Sequence, residues 1–132
     1  MTRRRALIVA RRSPLREGLS RLINSISGIE IAGETGDISR ALKMIDERQP
    51  DLVLIDADLP GGAAWEALQR AKRAWPETRY VMLADHCHQG QAVRENYADA
   101  VLQKGMPAAT LVQAIEALLP KEEQGEPDRG TS

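Results

Sequence analysis

The chain has 132 residues, 42% of them hydrophobic, which is the size of one compact domain and leaves no room for a second. Eighteen Lys and Arg stand against 19 Asp and Glu, and a net charge of −1 argues against a protein that coats nucleic acid. The single cysteine, Cys87, excludes an internal disulfide, and no apolar run approaches the ~18 residues of a membrane span. The apolar stretch Ala6–Ala10 is too short for a signal-peptide core. These features predict a cytoplasmic domain with no direct nucleic-acid or membrane partner. Two Trp, two Tyr and no Phe leave few faces for stacking bases or flavin rings. Residues 1–21 hold seven Arg against Glu17, whereas residues 121–132 are polar and acidic and read as a disordered tail or the stub of a linker.

Along the chain, short apolar runs alternate with amphipathic ones. Ala6-Leu7-Ile8-Val9 is the run expected of a strand buried on both faces. After Pro14, Leu15, Leu19, Leu22, Ile23 and Ile26 recur at helical spacing until Gly28. Ile29–Ala32 makes a weaker strand, and Asp37 is a candidate N-cap for a helix burying Ile38, Ala41, Leu42 and Ile45. Leu52–Ile55 is the clearest strand, followed by a helix from Gly61-Gly62 to Trp75. Tyr80–Leu83, a polar loop, a short helix around Ala92–Asn96, the strand Ala100–Leu102 and a final helix from Pro107 to Leu119 complete the pattern. Five strand–helix units predict an α/β, doubly wound, five-stranded parallel sheet with helices on both faces.

In such a sheet, chemistry gathers beyond the carboxyl ends of the strands. The informative residues are therefore Ala10-Arg11-Arg12-Ser13, Asp56-Ala57-Asp58, Ala84-Asp85-His86-Cys87-His88 and Gln103-Lys104-Gly105. The sequence Asp85–His88 packs three ligand types into four residues, but no His or Cys exists elsewhere in the chain, so it reads as a polar loop and not a metal site. Asp58 and Asp85 stand near Asp56 in this arrangement, yet their spacing does not force the side chains to converge. Gly61-Gly62 lacks the spacing and the Lys-Ser/Thr of a phosphate loop and reads as a turn.

Three segments carry a family resemblance. PDLVLIDADLPGG, residues 50–62, resembles the third-strand segment of response-regulator receiver domains, with Asp56 where those domains carry the phosphoacceptor aspartate. SPLREGLSRLI, residues 13–23, is similar to the first helix of receivers in helix-turn-helix transcription-factor response regulators. ADAVLQKGMPAATLVQAIEALL, residues 98–119, resembles their fifth strand and last helix, with Lys104 at the position of the family's lysine. The likeness covers residues 5–119. It implies a flavodoxin-like (βα)5 fold with strand order 2-1-3-4-5, a receiver-like domain over residues 1–120 and a tail over 121–132.

The departures from that family are as specific as the matches. Receivers carry an acidic pair after strand one that helps hold magnesium, where this chain has Ala10 and Arg11. They carry Thr or Ser at the end of strand four, here Ala84, and a Tyr or Phe switch in strand five, here Val101. A methyl and a guanidinium do not replace two carboxylate ligands, so magnesium binding should be lost and no other cofactor is implied. Ala84 has no hydrogen bond to donate to a phosphoryl oxygen, and Val101 has no ring to swing. The expectation is a stand-alone pseudo-receiver, not an enzyme, acting as a phosphorylation-independent protein-interaction module in bacterial signalling. The alternative is a residual phosphoacceptor taking a phosphoryl group on Asp56 from a histidine kinase. A flavodoxin-like cofactor binder needs a hydroxyl-rich loop that Arg11-Arg12-Ser13-Pro14 does not supply.

Two further expectations concern contacts. The last helix carries apolar residues over an arc wider than the ~100° that one core contact needs. This favours a partly exposed strip over a deeply wedged helix, with Leu111, Val112, Ile115 and Leu119 as interface candidates. The resemblance places dimerisation and partner contacts beside this helix, so the expected partners are a histidine kinase, another regulator or a second copy. If strands one and three are neighbours, Arg11 is expected to reach Asp56 and stand in for the metal's charge, with Lys104 as a second holder of that carboxylate.

Overall fold

The structure, a computed structural model, describes residues 4–59, 63–85 and 98–119. Within them lie β1 (Arg4–Val9), α1 (Pro14–Ser25), β2 (Ile29–Thr35), α2 (Ile38–Arg48), β3 (Leu52–Asp56), α3 (Ala64–Ala74), β4 (Arg79–Ala84), β5 (Ala100–Gln103) and α4 (Ala108–Leu118). The Gly61-Gly62 turn, the His86-Cys87-His88 stretch, the helix expected around Ala92–Asn96 and the tail 121–132 lie outside the described residues.

The strands form one parallel sheet in the order β2-β1-β3-β4-β5, as expected. Its central strands are continuous apolar runs because both faces are covered. Ala6, Ile8, Ala10, Leu52, Leu54, Val81 and Leu83 pack with Leu19 and Ile23 of α1 and Leu111 and Ile115 of α4. Leu7, Val9, Val53, Ile55 and Met82 face the other way, against α2 and α3. The pleat thus sends the buried apolar residues of the central strands alternately to one of two cores. No described helix is long and apolar enough to cross a membrane.

Local chemistry sets the element ends. Ser13 caps α1 by accepting from the Arg16 N–H at 3.3 Å, and Pro14 opens the helix where its missing N–H costs nothing. Gly28, at φ 88°, turns the chain back, and its carbonyl accepts from the Arg4 N–H at 2.8 Å. Asp37 caps α2 through the Ser39 N–H, as its position suggested. Strand β2 runs to Thr35, three residues beyond the expected end at Ala32. Its register passes from Ala6↔Ile31 to Leu7↔Gly33, so Ala32 is a bulge and the alternation that marks a strand is broken there. The Arg48 guanidinium donates to the Ala32 carbonyl.

The last helix corrects the exposed-strip expectation. Leu111, Ile115 and Leu119 are 6%, 0% and 8% exposed, and Val112 is half-buried against the same core. The sheet on one side and the cluster shared with α1 on the other take the helix's large apolar residues, while Ala108, Ala109 and Ala117 stay exposed. Three of the four interface candidates are therefore core residues.

Candidate functional site at the carboxyl edge

Strand β3 ends in Asp56, on the sheet face that carries α1 and α4 and in register with Leu83 of β4. The next N–H, from Ala57, still donates to the Leu83 carbonyl at 2.8 Å, so the sheet holds the backbone rigidly past the aspartate. Asp56 Oδ1 accepts from the Asp58 N–H at 2.8 Å, closing an Asx turn. The same oxygen meets Lys104 Nζ at 2.6 Å, and Lys104 Nζ also reaches Asp58 Oδ2 at 2.9 Å. Lys104 is aimed by its own backbone, whose N–H donates to the Ala84 carbonyl and extends the β4–β5 ladder by one residue.

One ammonium thus bridges two carboxylates. The Asp56 and Lys104 side chains are 12% and 19% exposed, whereas Asp58 is 46% exposed. Burial opposes the Lys104 charge, but the hydrogen bonds and charges of Asp56 and Asp58 outweigh it and hold the ammonium above its usual range.

At the end of β1 the arrangement is different. Ala10 is 1% exposed, and its N–H donates to the Thr35 carbonyl at 2.8 Å. Its carbonyl accepts from Arg16 Nη1 at 2.9 Å, and Arg16 Nε pairs with Glu34 at 3.2 Å. Arg11 is exposed and pairs with no carboxylate among the described residues. The expected Arg11–Asp56 pair is therefore replaced by Lys104–Asp56. The reason is geometric: the bond to Thr35 draws the backbone at Ala10 toward β2, which lies on the opposite side of β1 from β3. Gly36 follows β2 so closely that a Cβ there would lie 3.0 Å from Arg11 Cα.

Ala84 is 1% exposed in the α2–α3 core, and Val101 is half-buried against that core beside Met82. Asp85 is exposed and does not join the other carboxylates; its carbonyl accepts from Gln103 Nε2 at 3.5 Å. The fold brings Asp56, Asp58 and Lys104 together and leaves Arg11 and Asp85 outside. Arg16 was not foreseen as a site residue. Its signal was present, because a residue three beyond the N-cap Ser13 sits in the first turn of α1, above the exit of β1.

The profile of the response regulator receiver domain matches residues 6–116. The chain belongs to the response regulator receiver family. This receiver is 30% identical over 113 residues to the response regulator GacA of Pseudomonas viridiflava and 28% identical over 114 residues to the response regulator UvrY of Escherichia coli strain K12. The matches take in 84% and 85% of this chain but 53% and 52% of those relatives, so it spans about half their length. The crystal structure of a LuxR-family two-component response regulator from Aurantimonas sp. SI85-9A1 is similar with a TM-score of 0.81 at 29% identity, covering 89% of this receiver and 85% of that chain.

The magnesium ion implied by the resemblance takes six oxygens in near-octahedral array. At this edge Asp56 and Asp58 are both bound to Lys104, Ala10 offers a methyl and a carbonyl already bonded to Arg16, and Arg11 adds a cation. Among the described residues no three His, Cys, Asp or Glu side chains form a metal-holding group. As a donor set, these residues do not fit the ion.

Proposed function

We propose that this receiver is a protein-interaction module of two-component signalling whose state does not depend on phosphorylation, and that it works in the cytoplasm without magnesium. The observation that carries this reading is the closed edge: Lys104 holds Asp56 at 2.6 Å, while the positions that would supply metal ligands carry the Ala10 methyl and the exposed Arg11. Phosphoryl transfer depends on positioning and on neutralising the charge of the phosphoryl oxygens, largely by a metal. With that charge neutralised only by Lys104 and with Ala84 unable to donate a hydrogen bond, both transfer and sensing lose their parts. The partner on this reading is a protein of a signalling pathway, such as a histidine kinase or another regulator.

The second reading is a residual phosphoacceptor. It is supported by the juxtaposition of Asp56 and Lys104, since the ammonium would bond a phosphoryl oxygen as readily as a carboxylate. One experiment separates the two. The chain is incubated with acetyl phosphate and magnesium and its intact mass is measured. An unmodified mass is expected, and magnesium at millimolar levels should leave the melting temperature unchanged. A phosphoryl adduct that Asp56→Asn abolishes would replace the first reading with the second.

A further inference from the structure

The exit of β1 is tied to β2 at three points. The Ala10 N–H donates to the Thr35 carbonyl at 2.8 Å. Gly36 lies against Arg11, where a Cβ would come within 3.0 Å of Arg11 Cα. Arg16 supplies the third point, since its Nη1 donates to the Ala10 carbonyl at 2.9 Å and its Nε pairs with Glu34 at 3.2 Å. Backbone makes the first two contacts. Arg16 and Glu34 are the side chains of the tie.

The geometry of Arg16 suits that task. Its own N–H donates to the N-cap hydroxyl of Ser13 at 3.3 Å, which fixes the residue in the first turn of α1. The Arg16 and Glu34 side chains are 17% and 29% exposed, so the pair is largely shielded from solvent ions. A guanidinium presents several N–H groups in one rigid plane, and a single side chain can therefore serve a carbonyl and a carboxylate together. The consequence falls on Arg11. Val9 is in register with Ile55, so the chain leaves β1 directly beside Asp56. Two cations are thus within a few residues of that carboxylate, yet Lys104 holds it at 2.6 Å while Arg11 stays exposed.

We propose that Arg16 is a positioning residue: by tying the Ala10 carbonyl to Glu34 it keeps Arg11 from Asp56 and leaves the carboxylate to Lys104. This rests on the closed-edge reading and names what keeps the edge in one state. Breaking the tie frees the exit of β1, and Asp56 passes to the Arg11 guanidinium, whose paired N–H groups match a carboxylate. The edge then has two arrangements, selected by an ion pair on β2 and not by a phosphoryl group.

The test follows arginine Nε–H exchange by NMR in the full chain at neutral pH, together with urea unfolding. In the parent, the Arg16 Nε–H should exchange slowly and that of Arg11 at the rate of a free side chain. Arg16→Ala should slow Arg11 about tenfold, and Asp56→Asn in that background should restore the fast rate. The Arg11–Asp56 coupling, about twofold or less in the parent's unfolding constant, should rise to about tenfold in Arg16→Ala. Arg21→Ala, at an exposed position on the same helix, should change neither. A residue that only supports the fold would lower stability without slowing another arginine. A fast Arg11 with no coupling in Arg16→Ala therefore overturns the proposal. Slowing that survives Asp56→Asn overturns it too, because Arg11 would then have taken the place of Arg16 at the Ala10 carbonyl or Glu34. If Arg16→Ala fails to fold, Glu34→Ala removes the anchor on β2 and decides by the same readouts. A phosphoryl adduct on Asp56 would remove the closed-edge reading without altering these rates, and failure here leaves that reading standing.

Discussion

Lys104 Nζ lies 2.6 Å from Asp56 Oδ1 and 2.9 Å from Asp58 Oδ2, so a single cation at the end of β5 secures the whole turn that leaves β3. Since Asp56 also accepts from the Asp58 N–H, removing the cation would leave two neighbouring carboxylates to repel each other around a fixed backbone. A partly buried pair of this kind resists loss of one partner more than loss of both.

A double-mutant cycle on Lys104→Met and Asp56→Asn, followed by urea unfolding, should give a coupling energy of ~1–3 kcal/mol. The same cycle on Arg11→Ala and Asp56→Asn should give a value within about 0.5 kcal/mol of zero, because Arg11 is exposed and touches neither carboxylate. A large Arg11 coupling would return that residue to the site.

The Lys104 pair also has a pH signature. Its ammonium is held above the ordinary lysine value of 10.5, so the folded state keeps a proton that the unfolded chain gives up. The stability it contributes is complete below that ordinary value and is lost as pH rises through the raised one. Urea melts should show the advantage of the parent over Lys104→Met constant from neutral to mildly alkaline pH and shrinking above 10.5. A gap that persists unchanged there would mean the lysine acts through packing alone.

Tyr80 is 1% exposed, and its hydroxyl donates to the carbonyls of Ala71 and Trp75 at 3.1 and 3.0 Å. Burial pushes its ionisation up from 10.0 to about 12, helped by the charge of Asp99 and opposed by a hydrogen bond from Thr78. Between those values the unfolded chain loses the phenol proton and the folded chain keeps it, so stability falls as pH rises. Absorbance titration should show one of the two tyrosines ionising only near pH 12. Tyr80→Phe should remove that step and cost about 1 kcal/mol at neutral pH, by taking the phenol hydrogen bond away from the Ala71 and Trp75 carbonyls, each of which keeps a backbone donor.

Two glycines on the same domain should respond oppositely to alanine. Gly18→Ala should stabilise by ~0.5–1 kcal/mol, because the helix gains propensity and the new methyl enters open space. Gly36→Ala should destabilise by about 1 kcal/mol or more, since the methyl lands 3.0 Å from Arg11 Cα and 3.3 Å from the Ala10 carbonyl, both fixed backbone. Thermal melts of the two variants check both signs.

The strands and the residues at their carboxyl ends were legible because buried parallel strands are continuous apolar runs whose ends stand out, whereas the order 2-1-3-4-5 followed only from the family resemblance. Asp56 and Lys104 were found that way. Lys104 was foreseen as a secondary holder of the Asp56 charge behind Arg11, because a spacing of 48 residues says nothing about how far a lysine side chain reaches, and the structure reverses that ranking. The depth of α4 was misread because an apolar arc looks the same whether sheet, neighbouring helix or solvent faces its flanks. Burial at Leu111, Ile115 and Leu119 depends on α1 lying alongside, which periodicity within one helix does not encode.

The bulge at Ala32 bears on how copies of this protein behave at high concentration. An outermost strand with a regular row of free amides and carbonyls is a template for adding further strands, and the sheet then grows without limit. In β2 the repeat is broken at Ala32, and the carbonyl exposed there is already taken by Arg48. Colloidal stability on this flank therefore depends on a single irregular residue and the guanidinium that covers it.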